Sequence, residues 1–249
     1  MQKAIPFALF ALAMFSPIQL IWAEDSSSLI AQANAAYVKR EDLPEAKIAM
    51  VLYERAAVTD STHAIEGYWK ASRSAWWLGE NTTERDEQLI LFQKAIDLAK
   101  KAVDLDPESV EAHFWLGANL GTYGKAKGVM KSLSLVKPIR HEMAEVIRLD
   151  DHYLNGAAYR VLGVVDFKVP GIMGGNLKRA KEELDKTHSM APNDPFVYYD
   201  YVQYYQVTND IPKAQAALQD LRNLQVASDM GPEQKMLIRK AEVLLRETH

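Results

Sequence analysis

The sequence predicts an all-α protein, a solenoid of helical hairpins with extended loops between the paired helices. Two observations predict this fold class. Apolar residues recur at three- and four-residue intervals along most of the 249 residues, and no segment alternates apolar and polar residues as a strand does. One pattern of small and apolar residues also returns five times at the same distances before a helix stop. The composition, 48% hydrophobic and 25% charged, provides enough apolar material for a continuous core.

The repeat consists of three positions that precede each helix stop by 5, 8 and 12 residues. Before the stop at Pro107, these positions are Ala102, Ala99 and Ala95. Separations of 3, 4 and 7 residues return to the same side of a helix, so each triplet lies on one helical face. A small residue at the first position lets a neighbouring helix approach closely. Corresponding triplets precede four further stops, at Ser61, Asp151, Pro192 and Val226.

The successive stops are 46, 44, 41 and 34 residues apart. The last distance equals the 34-residue period of the tetratricopeptide repeat, in which two helices form one hairpin. The longer distances place extra residues between the two helices of a hairpin, at 79–86, 124–138 and 166–176. We therefore predict a tetratricopeptide-like domain of about five hairpins, the first of them degenerate, and a capping helix over 232–247. The alternative is a helical bundle whose alanines fall in register by chance.

The N-terminal segment has the composition of a secretory leader. Lys3 forms a short basic region, residues 5–15 are apolar, and the small residue Ala23 precedes two acidic residues. This order is typical of a signal peptide, and we expect cleavage near Ala23. The alternative is an uncleaved anchor, but the apolar stretch is shorter than the roughly 20 residues that a membrane span requires. The expected domains are the signal peptide, 1–23, and a periplasmic or secreted repeat domain, 24–249, with no stable membrane span after cleavage.

Several classes of function are excluded or disfavoured by the composition. The chain has no cysteine, which excludes disulfides, thiolate metal sites, cysteine nucleophiles and a lipid anchor on an N-terminal cysteine. The formal net charge of −4 provides no overall positive field for nucleic acid. Ser132 and Ser134 lie near His141 in sequence, but neither an elbow motif nor a third triad member accompanies them. We predict a protein that is not an enzyme and that binds neither a cofactor nor nucleic acid.

Two segments have the residue types of ligand sites, and both have a simpler structural interpretation. His152 follows Asp150 and Asp151, and we interpret this group as polar residues at a helix boundary rather than a metal site. Residues 171–176 are rich in glycine, but no strand precedes them and no Gly-Lys-Ser follows. We interpret them as a turn between helices, with anion binding at the start of the next helix as the alternative.

The predicted binding face combines aromatic and basic residues. In this repeat class the first helix of each hairpin lines the concave face, and we align these helices at Gly117 and Gly163. A basic run extends over 125–140. Such a run is usually solvated, and the alternative is that it neutralises an acidic partner or a carboxylate ligand. The predicted binding residues are Lys70, Trp77, Phe114, Lys131, Arg140, Arg160 and Tyr199.

Parts of the chain resemble a known family. The matching segments are 116–132, 138–140, 169–171 and 174–176. They resemble the TatT family, the divergent tetratricopeptide component associated with tripartite periplasmic (TRAP) transporters, and more distantly the eukaryotic regulator of microtubule dynamics proteins. The resemblance extends from about Gly67 to Pro195, and the glycine-rich turn after Val169 is its most specific part.

The resemblance implies a periplasmic scaffold that contacts a solute-binding protein or helps to deliver an organic acid. TatT proteins are typically lipoproteins, whereas this chain has no cysteine that a lipid could modify. The expected partner is therefore another envelope protein or a peptide, and a second copy of this chain is a further candidate.

A carrier of a small organic acid is the alternative function. In that case the helices enclose a cavity with an aromatic lining, and a basic side chain meets the carboxylate of the ligand. The expected lining is Trp69, Trp76, Phe114 and Tyr159, with Arg160 or Lys131 beside the carboxylate.

Overall fold

A computed structural model describes residues 25–247, except for the side chain of Val129. The predicted signal peptide lies outside these residues. The described part of the chain folds into eleven α-helices and three single-turn 3₁₀ helices. The α-helices are α1 (Ser26–Val38), α2 (Leu43–Thr59), α3 (Ala64–Asn81), α4 (Arg85–Leu105), α5 (Val110–Lys127), α6 (Val129–Asp150), α7 (Ala157–Lys168), α8 (Leu177–Met190), α9 (Pro195–Val207), α10 (Ile211–Asn223) and α11 (Gly231–Arg246).

Consecutive helices pair into five antiparallel hairpins, from α1–α2 to α9–α10, and α11 follows as the capping helix. This confirms the predicted all-α hairpin solenoid. Each predicted stop follows the second helix of its hairpin; α4, for example, ends at Leu105, just before Pro107. The triplet Ala95, Ala99 and Ala102 is completely buried, as close packing between neighbouring helices requires.

Much of the extra length of the middle repeats lies in the helices. α5 and α6 contain 18 and 22 residues and are joined by Gly128 alone, whereas α9 and α10 contain 13 residues each. The φ of Gly128 is 108°, a value that residues with a side chain rarely adopt, and this permits the sharp connection. An extended loop occurs in the fourth hairpin, where residues 169–176 join α7 to α8.

The glycines used to align the first helices mark close helix crossings. A Cβ atom on Gly117 would lie 2.4 Å from Cε of Met143 in α6. One on Gly163 would lie 3.1 Å from the carbonyl oxygen of Ala180 in α8. Both distances are too short for ordinary packing, so the absence of a side chain lets the two helices of each hairpin pack closely.

The last described helix, α11, returns to the first described hairpin and closes the solenoid. Arg40, just after α1, pairs with Glu233 in α11 through two hydrogen bonds of 2.9 Å (Nε to Oε1) and 2.5 Å (Nη2 to Oε2). Both side chains are buried. Lys235 of α11 also pairs with Glu41, at 3.0 Å on the surface. These contacts make the described chain a closed solenoid rather than an open superhelix.

The hydrophobic core follows the same closure. One cluster of buried residues includes Leu29 of α1, Trp77 of α3, Val197 of α9 and Leu237 of α11. A second cluster lies mainly within the third hairpin and continues into α7. Within residues 25–247, no helix combines the length and apolarity that a membrane span requires.

Candidate functional site

The concave side of the solenoid holds a partly open chamber of about 1250 Å³. The first helix of every hairpin contributes to its wall, as the repeat class predicts, and α11 completes it. The chamber is defined by side chains that include Tyr37, Arg73, Trp76, Phe114, Trp115, Lys125, Arg160, Lys168, Phe196, Tyr199 and Leu237.

One wall of the chamber is a continuous run of aromatic side chains. Trp76 of α3 lies between Trp115 of α5 and Phe196 of α9, with ring centres 5.7 and 6.1 Å apart. Phe114 extends the run with an edge-to-face contact to Trp115 at 5.5 Å. Such a wall offers a large, rigid apolar surface to the body of a ligand.

Some charged groups of the chamber are already neutralised within the protein. Arg160 of α7 donates to Asp200 of α9 at 2.7 Å, and its guanidinium lies 4.8 Å from the centre of the Phe196 ring. Arg40 is neutralised by Glu233, as described above. These pairs hold neighbouring helices together and leave little charge for a ligand.

Three cations of the chamber, Arg73, Lys125 and Lys168, form no ion pair with a carboxylate of residues 25–247, although the charge of Asp200, which is paired with Arg160, acts on both lysines. The guanidinium of Arg73 lies 3.9 Å from the centre of the Tyr37 ring, and its buried Nε has no hydrogen-bond acceptor in the described chain. Lys125 and Lys168 reach solvent although protein surrounds them, because they project into the chamber. Burial lowers the pKa of both lysines, and the neighbouring charge of Lys125 helps to lower that of Lys168 to about 8.

The chamber includes three of the seven predicted binding residues, Phe114, Arg160 and Tyr199. Trp77 lies behind the wall, where it is 1% exposed and donates its indole N–H to the carbonyl oxygen of Arg40 at 2.6 Å. The adjacent Trp76 lines the chamber, as the small-ligand alternative anticipates.

The other predicted side chains lie outside the chamber lining. Lys70 is held by Glu66, one turn away on α3. Arg140 contacts Asp166 of α7, and Lys131 is exposed on α6. Two aromatic residues expected in the cavity, Trp69 and Tyr159, do not line it either.

Sequence reasoning missed Arg73 and Lys168 as chamber residues. On α3 the lining positions are 73, 76 and 80, which share one helical face. α3 also has glycines at close crossings, Gly67 against α2 and Gly79 against α4, but the alignment used only Gly117 and Gly163, and it selected Trp77 in place of Trp76. On α7 the lining positions 160, 164 and 168 are four residues apart and share one helical face. Because Arg160 was predicted to face the binding surface, this spacing indicates that Lys168 faces it too.

The acidic group after α6 has contacts typical of a helix end. Asp150 accepts a hydrogen bond from the backbone N–H of His152 at 2.9 Å, and Asp151 contacts the imidazole Nδ1 at 2.6 Å. Potential metal ligands of all three residues lie within 4.8 Å of one another, and all are partly or fully open to solvent. The backbone contact agrees with the interpretation of these residues as a polar helix boundary.

Two solved structures are similar to this chain. A thermophilic TPR protein of Thermus thermophilus superposes with a TM-score of 0.62 at 14% identity, over 88% of this chain and 99% of that chain. YrrB, described as a TPR protein with an unusual peptide-binding site, gives a TM-score of 0.46 at 18% identity, over 88% of this chain and 93% of that chain. No curated protein matches the chain.

The first of these likenesses shows the tetratricopeptide fold. The family model that matches the chain is described as TRAP transporter T-component, and it covers residues 27–249. The match thus extends over every hairpin and over α11. The chain therefore belongs to the TRAP transporter T-component family.

Proposed function

We propose that this protein is a periplasmic component of a TRAP-type transport system that holds a small organic anion in its chamber. An envelope protein, such as a solute-binding protein, supplies or receives the anion. The observation that carries the proposal is the combination of an aromatic wall with Arg73, Lys125 and Lys168, cations that form no ion pair within the described chain. Membership of the T-component family supports the transport role.

The chemistry of the chamber favours an amphipathic anion. A charge that is surrounded by protein is costly unless an opposite charge or hydrogen bonds compensate for it. A bound carboxylate compensates Lys125 and Lys168, while its apolar body covers the wall formed by Trp76 and Phe196. The volume of about 1250 Å³ is at the upper end of small-molecule sites, so the ligand shares the chamber with water.

The closure of the solenoid disfavours a groove for an extended peptide. Tetratricopeptide scaffolds offer their concave surface as a binding face. In this chain α11 contacts the α1–α2 hairpin through Arg40 and Glu233, so the concave surface lines a chamber that is only partly open to solvent. A protein partner therefore contacts the outer surface, and the interior is left for a small molecule.

The lysines provide the first test. We expect the variant Lys125→Met/Lys168→Met to bind a monocarboxylate at least about tenfold more weakly, because it loses charge-assisted hydrogen bonds worth about 1.5–3 kcal/mol each. Isothermal titration with a panel of aliphatic and aromatic monocarboxylates measures the change. The matched control is Lys47→Met/Lys100→Met, which removes two exposed lysines of the outer helices α2 and α4. Equal affinities of the two double variants contradict the proposal, as does a native protein that binds no acid of the panel.

Anion binding is also expected to depend on pH. Lys168 has a pKa of about 8, so its positive charge is present below that pH and is lost as the pH rises through it. The affinity for a carboxylate should therefore fall between about pH 7 and about pH 9, a range in which a ligand carboxylate stays ionised. Titrations across this range measure the slope, and Lys168→Met should flatten it. If Lys168→Met has the same pH dependence of affinity as the native protein, the pH dependence arises from another group.

A further inference from the structure

The guanidinium of Arg73 lies among aromatic rings in the wall of the chamber. Its central carbon is 3.9 Å from the centre of the Tyr37 ring and 5.3 Å from that of the Trp69 ring. Aromatic rings contact the faces of a guanidinium, whereas its N–H donors point outward in its plane. The rings therefore hold the charge in place and leave the donors of Arg73 available for an acceptor.

Acceptors on the helices around Arg73 already have other partners. The carboxylate of Glu66, on the same helix, pairs with Lys70 at 2.5 Å. The side-chain oxygen of Asn34, which lines the chamber from α1, accepts from the hydroxyl of Tyr53 at 2.6 Å and from Lys70 at 3.1 Å. The buried Nε of Arg73 has no acceptor in the described chain. A buried donor of a charged group is costly without an acceptor, so this part of the chamber favours a ligand group that carries oxygens.

Arg73 and the two lysines lie at different heights in the chamber. Since α3 and α5 are the first helices of successive antiparallel hairpins, they run in the same direction. Ser72, next to Arg73, accepts a hydrogen bond from Asn119 at 2.8 Å, which places Arg73 level with the middle of α5. Lys125 follows Asn119 by six positions, so its Cα lies about 9 Å farther along the helix axis. Lys168 lies near Lys125, whose charge helps to lower its pKa.

The chamber wall between these two positive groups is apolar. Trp76, part of the aromatic wall, follows Arg73 by about one turn in the direction of Lys125. The guanidinium of Arg73 lies near the ring of Trp69, one turn earlier on α3, and so is directed away from the lysines. The chamber therefore has a positive group at each of two ends, roughly 10 Å apart, with aromatic surface along the way.

We infer that the ligand is an elongated acid with an anionic group at each end, one on Lys125 and Lys168 and the other on Arg73. The inference rests on the proposed function, because it divides the same chamber into two anion sites. The planar fork of an arginine suits the two oxygens of one carboxylate. The apolar chain between the two ends covers the aromatic wall.

The separation of the two ends sets the length of the ligand. A span of roughly 10 Å corresponds to about eight carbon–carbon bonds of an extended chain. A diacid as short as succinate therefore reaches only one of the two sites. A long monoacid reaches both ends, but its methyl group would lie against Arg73 and leave the buried Nε without an acceptor.

Calorimetric titration with acids of graded length tests the inference. The native chain is titrated with straight-chain diacids from succinate to dodecanedioate, each beside the monoacid with the same number of carbons. We expect sebacate to bind at least about tenfold more tightly than decanoate, because its second carboxylate adds charge-assisted hydrogen bonds. Succinate should bind no more tightly than butyrate, because it cannot span the two sites.

Variants of Arg73 identify the second site. Arg73→Met should lower the affinity for sebacate to that for decanoate and leave the affinity for decanoate within about twofold of the native value. The retained decanoate binding also shows that the variant is folded. Arg73→Lys keeps the charge without the planar fork and should be intermediate for sebacate. The matched control is Arg222→Met, which removes a surface arginine that pairs with Glu242 and should bind both acids like the native chain.

Three results would overturn the inference. They are equal affinities for sebacate and decanoate, an advantage of the diacid that does not depend on chain length, and an equal loss of both acids in Arg73→Met. If decanoate binds through Lys125 and Lys168 and sebacate binds no better, the proposed function stands and the two-ended ligand does not. If the native chain binds neither acid, both proposals fail.

Discussion

Replacing Glu233 with Met is expected to lower the free energy of unfolding by about 3–5 kcal/mol, because it leaves Arg40 buried without its carboxylate. Arg40 is 5% exposed, and its guanidinium lies 4.9 and 5.4 Å from the ring centres of Tyr37 and Trp77. The charge therefore cannot turn out to water without disrupting this packing. Urea denaturation followed by circular dichroism measures the loss. Small-angle scattering should show a larger radius of gyration, because the solenoid opens.

The control for this prediction lies on the same helix. Lys235→Met removes the exposed pair with Glu41 and should cost no more than about 1 kcal/mol. A double variant, Arg40→Met/Glu233→Met, should recover part of the stability lost by Glu233→Met, because no uncompensated charge remains. If Glu233→Met and Lys235→Met had the same small effect, the closure would not depend on the buried pair.

Replacing Trp77 with Ala is expected to cost about 3–5 kcal/mol of stability, because the change leaves a large cavity in the shared core. Trp77 is 1% exposed, and its indole N–H donates to the carbonyl oxygen of Arg40. Its loss therefore also weakens the support of the ion pair that closes the solenoid. Trp77→Phe keeps most of the packing and should cost less. Thermal and urea unfolding of both variants measure the difference.

Trp76→Ala is the matched comparison, since the two tryptophans are adjacent but serve different purposes. Trp76 is half-buried and faces the chamber between Trp115 and Phe196. We expect its replacement to weaken ligand binding more than it weakens the fold. If Trp77→Ala impaired only binding and Trp76→Ala impaired only stability, the assignment of the chamber wall would be reversed.

The hairpins could be predicted because their signals are local. The triplet Ala95, Ala99 and Ala102 and the stop at Pro107 lie within one helix and its end, so the sequence records the helix crossing directly. The extension of helices in the third repeat is less evident. Gly124, Gly128 and Pro138 are residues typical of a loop, yet α6 retains Pro138 within the helix and Gly128 alone forms the turn.

The closure and the chamber could not be predicted in the same way. Arg40 and Glu233 are separated by 193 positions, and nothing near either residue indicates the other. The alignment of first helices selected Phe114 and Arg160, which lie in the chamber, because Gly117 and Gly163 fix the rotation of α5 and α7. The alignment did not use the crossing glycines of α3, Gly67 and Gly79, and a shift of one residue placed Trp77 in the chamber instead of Trp76.

The contact between α11 and the first hairpin also has a consequence for folding kinetics. In an open repeat array each unit contacts only its neighbours, so the array can begin to fold at many points and its ends fray independently. Here α11 contacts the first hairpin through Arg40 and Glu233, which are 193 positions apart. These two distant segments must be brought together before the contact can form, and this closure costs chain entropy. We expect this closure to be a late and slow step. Amide hydrogens of α1 and α11 should then exchange with solvent together, with protection close to that of global unfolding.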